Sequence, residues 1–227
     1  MTTSPELKPK KTANKKRVVL FSTLGFFAVA FVFCCYIGVL GGNVREVAPG
    51  KVYRSATLTG LNYTGVTAGF IGNTMENVLK DKKIKTVINL RGGSNKDEWY
   101  REEVEACDKL AVKHIDFGMS ARKLPPPQMV EGIIRDFDQA QYPILIHCQA
   151  GADRTGLVST LYSYLYKGET LDQAQQEQLT WKYGHFPVAN THKMDEFFDL
   201  YRKYGEGCSF RDWLHVRYPP IYLASPH

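Results

Sequence analysis

Residues 142–165 place the tightest constraint on what this chain can fold into. YPILIHC, 142–148, is a short apolar run of the kind buried on both faces of a parallel sheet, and Val158, Leu161 and Leu165 mark a helix soon after it. Only QAGADRTG, 149–156, lies between them. A strand, a tight loop and a helix in that order gather the loop and helix-start N–H groups around one point, which makes an anion site before any side chain is considered. Gly151 and Gly156 allow the backbone to turn and approach closely. Arg154 adds a planar, permanently charged fork suited to two oxygens of a phosphate.

The rest of the chain supplies a matching frame. KVYRSA (51–56) alternates weakly as a first strand, KTVINL (85–90) reads as a buried strand ending at Arg91-Gly92-Gly93, and HIDFGM (114–119) reads as a third. Tyr100, Val104, Cys107 and Ala111 form one apolar helix stripe with acids outside it, and Val130, Ile133, Ile134 and Phe137 mark another helix. Alternating strands and helices imply an α/β fold, a central and mostly parallel sheet flanked by helices. Met194, Phe197, Phe198 and Tyr201, with Phe210, Trp213 and Leu214, are helical positions expected in the core rather than around a ligand.

Charge is uneven along the chain. Of a net +6, residues 1–42 contribute six Lys/Arg against one Glu, whereas residues 43–227 hold 23 Lys/Arg against 22 Asp/Glu. A near-neutral domain argues against a nucleic-acid partner. From Val18 to Leu40 no residue is charged, a stretch long enough to cross a bilayer as one helix. The expected organisation is a basic cytoplasmic tail (1–17), a transmembrane helix (18–41), a linker (42–50) and a catalytic domain (51–227). The positive-inside rule puts that domain outside the cytoplasm, in the periplasm if the source is Gram-negative. A cleaved signal peptide is the competing reading of the same segment.

Cys107, Cys148 and Cys208 are the cysteines of the domain, too few and odd in number for a disulfide framework. Cys148 sits at the entrance to the anion site. The environment that would hold a phosphate also favours thiolate over thiol, so nucleophile and anion site belong to one device. A thiolate attacking a bound phosphate monoester would give a cysteinyl-phosphate that water hydrolyses, with no metal or cofactor.

HCQAGADRTG resembles the signature loop of the cysteine-dependent protein tyrosine phosphatase superfamily: His, Cys, five residues, Arg, then Thr or Ser. VYRSA, TVINLRGG and YGHF ahead of a helical tail extend the likeness, over about residues 50–217, to the bacterial dual-specificity-like branch. The resemblance implies Cys148 as nucleophile, Arg154 as phosphate clamp, Thr155 as the hydroxyl that stabilises the departing thiolate, and His147 as the group that orients it. The loop Gln149, Ala150, Gly151, Ala152, Asp153 would hold the phosphate oxygens. Gln149 stands where lipid-directed relatives often carry Lys, which counts against a highly anionic inositol substrate. The family's general acid lies some thirty residues before the cysteine; Asp116 is 32 before it and is preferred over Asp153, inside the loop. Arg91, after a strand, reads either as a substrate contact or as a surface or helix-capping arginine; Arg54 and His185 have the same status and are left outside the site. The implied partners are a phosphorylated protein or a membrane-linked phosphate, and the bilayer itself. A sulfurtransferase and a catalytically silent phosphate-binding module are the alternatives.

Overall fold

The computed structural model describes residues 23, 25–32, 41–59 and 73–225. The chain divides into two compact units, Met1–Ile37 and Gly38–His227. In the first, Thr23 and residues 25–32 are helical. The basic tail 1–17 and most of the span expected at 18–41 lie outside the described residues; among those described, no helix is long and apolar enough to cross a membrane.

The second unit is built on a five-stranded sheet: β1 (Arg45–Ala48), β2 (Val52–Ser55), β3 (Thr86–Asn89), β4 (Lys113–Asp116) and β5 (Ile144–His147), in the order β1-β2-β5-β3-β4. β2, β5, β3 and β4 run parallel, and β1 pairs antiparallel with β2. β1 falls inside the stretch 42–50 that reads as a linker. The Pro-Gly signal there belongs to a tight hairpin: Gly50 has φ +66° and the Lys51 N–H closes on the Ala48 carbonyl.

The helices are α1 (Met75–Asp81), α2 (Glu98–Lys109), α3 (Pro127–Gln139), α4 (Asp153–Tyr166), α5 (Leu171–Gln178), α6 (Lys193–Tyr204), α7 (Phe210–Asp212) and α8 (Tyr218–Ala224). Every residue of β2, β3 and β5 is buried, because helices cover both faces of the sheet. Val52, Ile88, Ile144 and Ile146 pack on one face with α3, α4 and the C-terminal aromatics, while Tyr53, Val87 and Leu145 pack on the other with α1 and α2. Met194, Phe197, Phe198 and Trp213 are fully buried, and Tyr218 stacks beside Trp213 at 4.8 Å between ring centroids. The C-terminal aromatics are core, as their spacing predicts.

Strand alternation then sorts the side chains near the C-terminal edge of the sheet. Leu145 and His147 share the α2 face, as do His114 and Asp116, which lie level with Val87 and Asn89. Cys148, the first residue beyond β5, belongs to the opposite cluster with Leu157 and Ile146.

Candidate active site

The loop between β5 and α4 is held from behind. Arg54, fully buried in β2, donates to the carbonyls of Gly151 (2.8 Å), Ala152 (3.4 Å) and Gln178 (2.5 Å), and its guanidinium stacks 4.0 Å from the Tyr183 ring centroid. Burial pulls the Arg54 pKa down to about 10, leaving it charged at neutral pH. The Asn43 side-chain amide donates to the carbonyls of Ala150, Gly151 and Tyr183. With these carbonyls tied outward, the N–H side of the peptide planes is left for the interior of the loop. Gly151 is required twice over. Its φ is +68°, and a Cβ there would lie 2.6 Å from the Ser55 carbonyl carbon.

Cys148 is 2 % exposed at the base of this loop. Burial alone would raise its thiol, but Arg154, the Thr155 hydroxyl and the Thr155 and Gly151 N–H groups outweigh that and lower the pKa below the ordinary thiol value. The first N–H groups of α4 have no intrahelical acceptor, so they add to the same field. Arg154 donates through Nη1 to the Leu90 and Met119 carbonyls, and its Nε is buried without a partner. The guanidinium is thereby fixed with a donor to spare. Among the described residues, no group of three or more His, Cys, Asp or Glu is arranged to hold a metal ion.

His147 turns away from Cys148 into the α2 face. Its Nε2 and that of His114 each lie 2.8 Å from Glu103 Oε1. The acids of α2 read as solvent-facing, yet Glu103 is fully buried. Burial would raise its carboxyl; the two histidines overcome this and hold it at about 2. Glu103 therefore fixes the ring orientation of the residue preceding the thiol.

The two candidate acids are placed differently. Asp116 ends β4, two strands from β5, so its Cα is about 10 Å from that of His147. Its carboxylate accepts from Asn89 Nδ2 (2.8 Å) and Tyr100 OH (2.5 Å), and that bond pushes the Tyr100 phenol up to about 12. Asp153 opens α4, and its carboxylate meets His185 Nδ1 at 2.7 Å; His185 Nε2 reaches Asp195 at 2.9 Å. Burial would lower the His185 pKa, but the two carboxylates raise it to about 9. His185 and Arg54, outside the site by sequence, thus brace it. The contact order hid them: Arg54 lies 97 residues from Gly151, and His185 lies 32 from Asp153.

The protonated His185 gives a signed pH dependence. Its folded pKa stands above the ordinary 6.5, so the stabilisation is complete below pH 6.5 and disappears as pH rises through about 9. Denaturant titrations between pH 6 and 10 should show wild-type stability falling by on the order of 2–3 kcal/mol across this window. His185→Gln should be less stable at pH 6 and should lack that portion of the decline.

This is the architecture of a known family. The family described as DSP-PTPase phosphatase fused to NAD+ kinase matches residues 71–196, more than half of the chain. The chain belongs to this DSP-PTPase family. Its reaction class is accordingly phosphoric monoester hydrolysis. Solved structures agree on the fold of the phosphatase. TpbA of P. aeruginosa superposes with a TM-score of 0.51 at 18% identity, covering 77% of this chain and 89% of its own. The Siw14 catalytic core gives 0.52 at 17% identity, covering 82% and 95%, and Tk-PTP in its active form gives 0.51 at 16%, covering 71% and 97%. No curated protein matches the phosphatase significantly.

Proposed function

We propose that the chain is a membrane-anchored phosphatase that works through a cysteinyl-phosphate on Cys148. The carrying observation is the lowered Cys148 thiol, set among inward-facing N–H groups and a braced Arg154. The thiolate attacks phosphorus, the P–O ester bond breaks, and its electron pair leaves with the alcohol oxygen, which takes a proton. Water then attacks the phosphocysteine and gives a proton back to the acid that protonated the leaving oxygen, the S–P bond breaks, and the Thr155 hydroxyl stabilises the departing thiolate. His147, fixed by Glu103, orients the strand end that carries the thiol. Release of phosphate from an aryl phosphate, with no thiocyanate formed from thiosulfate and cyanide, separates this reading from a sulfurtransferase and from a silent module.

Asp116 is the proposed proton donor, which requires its side chain to turn from the α2 face toward Cys148; Asp153, tied to His185, is the alternative. Asp116 must release Tyr100 to act, so its contribution is greatest where the leaving group most needs a proton. Asp116→Asn should slow alkyl phosphate hydrolysis by about 10²-fold and aryl phosphate hydrolysis far less. Equal losses on both would assign Asp116 a structural role and move the test to Asp153→Asn.

Substrates of two kinds suit the site, a phosphoprotein and a membrane-associated phospholipid or glycan phosphate. TpbA is known in complex with phosphotyrosine, which supports the first. The uncharged Val18–Leu40 segment behind six basic residues supports tethering, and tethering raises the local concentration of the second. Reporters fused after His227 that work on one side of the membrane only test the orientation. Activity confined to the extracytoplasmic reporter is expected; activity confined to the cytoplasmic one would reverse it.

A further inference from the structure

Arg91 follows β3, and its guanidinium does not turn out to solvent. Its backbone N–H donates to Asn89 Oδ1 (2.9 Å), and Gly92, at φ +65°, packs so closely on the turn after β4 that a Cβ would lie 3.0 Å from Gly118 Cα. From this turn, Arg91 Nη1 reaches Thr57 Oγ1 at 3.3 Å, and Thr57 Oγ1 donates to the Cys148 carbonyl at 3.2 Å. β2 and β3 are the two neighbours of β5, so an arginine after β3 bonded to a threonine after β2 crosses the end of the strand that carries the nucleophile.

The guanidinium is held in place without being neutralised. It stacks 3.8 Å from the Trp99 ring centroid, and the Trp99 carbonyl accepts the Thr59 hydroxyl at 2.6 Å. A Cβ on Gly93 would lie 3.0 Å from the Trp99 ring and 2.4 Å from Tyr100, so the missing side chain lets α2 bring Trp99 under Arg91. Among the described residues, its side-chain contacts are this ring and one hydroxyl; Asp97 and Glu103 act on it only at a distance. Arg54 by contrast has three carbonyls and Arg154 two. A guanidinium carries five N–H donors, so among the described residues most of those of Arg91 have no protein acceptor. Burial and the charge of Arg154 both lower its pKa, as expected for two cations sharing one mouth. The Thr57 hydroxyl links Arg91 to the Cys148 carbonyl, so the guanidinium stands beside the strand end that carries the thiol.

We propose that Arg91, seated on Trp99, forms a second oxyanion subsite beside the phosphate loop and selects organic phosphates carrying a further phosphate or carboxylate. The proposal rests on the phosphatase reading. The full chain in detergent is assayed on phenyl phosphate, 3-carboxyphenyl phosphate and 1,3-phenylene bisphosphate. Wild type should favour one or both doubly anionic compounds over phenyl phosphate by about tenfold or more in kcat/KM, a preference that weakens with salt. Arg91→Gln should bring that ratio close to one, Arg91→Lys should keep part of it, and Trp99→Leu should reduce it by freeing the arginine. The ranking of carboxylate against phosphate tells which second anion the subsite takes. Equal kcat/KM on all three compounds in wild type, or an unchanged ratio in Arg91→Gln, overturns the proposal. So does an equal proportional loss on all three in Arg91→Gln, which would assign Arg91 to the scissile phosphate. If wild type hydrolyses none of them, the phosphatase reading fails instead. The subsite is then read from calorimetric affinities for the same compounds, where a second-anion preference that persists in Arg91→Gln overturns it.

Discussion

Cys148→Ser should lose turnover of an aryl phosphate by more than about 10³-fold while still binding inorganic phosphate or vanadate. On the proposed mechanism the two functions reside in different atoms. Nucleophilicity belongs to the sulfur, whose pKa is lowered by Arg154, the Thr155 hydroxyl and two backbone N–H groups. A serine hydroxyl ionises far above neutral pH, so the same field cannot make it an alkoxide. Oxyanion binding belongs to the backbone and to Arg154, neither of which the substitution moves. Arg154→Lys should also lose most of the rate, about 10²–10³-fold. An ammonium is a single point of charge and cannot keep the Leu90 and Met119 carbonyls while also presenting the buried Nε donor. Substantial turnover by the Cys148→Ser protein would sink the covalent route.

The second large effect is expected at a residue that never touches substrate. Arg54→Leu should destabilise the domain by about 3 kcal/mol or more, because the buried Gln178 carbonyl would lose its guanidinium donor and the Gly151 carbonyl would keep only Asn43. It should also lower kcat/KM by about 10²-fold, since the loop's peptide planes would no longer be held carbonyl-outward. Arg54→Lys separates the two consequences. A lysine retains charge but cannot span Gln178 and Gly151 together, so stability should recover further than rate. The readouts are denaturant midpoint and aryl phosphate kinetics on one preparation. A fully stable, fully active Arg54→Leu protein would show that the loop holds its shape by its own glycines and helix start.

The bracing of the loop and the identity of the loop were legible to different degrees. HCQAGADRTG is contiguous, and a strand, a loop and a helix start converge their N–H groups by local backbone geometry alone. Residues 147–156 therefore showed a thiol, an arginine and converging N–H groups side by side with no knowledge of what packs around them. The parallel sheet was equally open, because β3 and β5 centre on short apolar, β-branched runs and the helices between them carry plain stripes. Asn43, Arg54, Glu103, Arg91 and His185 were not. A charge in a pattern reads as an outward position, and only a partner distant in sequence makes its burial tolerable. Glu103 meets His147 across 44 residues, and Asn43 meets Gly151 across 108. Periodicity has no access to such pairings. Sequence by itself thus determined the strand-loop-helix backbone at 142–165 and the thiol and arginine it carries. Tertiary structure decided which side chains hold that backbone, which face of the sheet Asp116 occupies and where a spare guanidinium stands, because these depend on which strands and helices become neighbours.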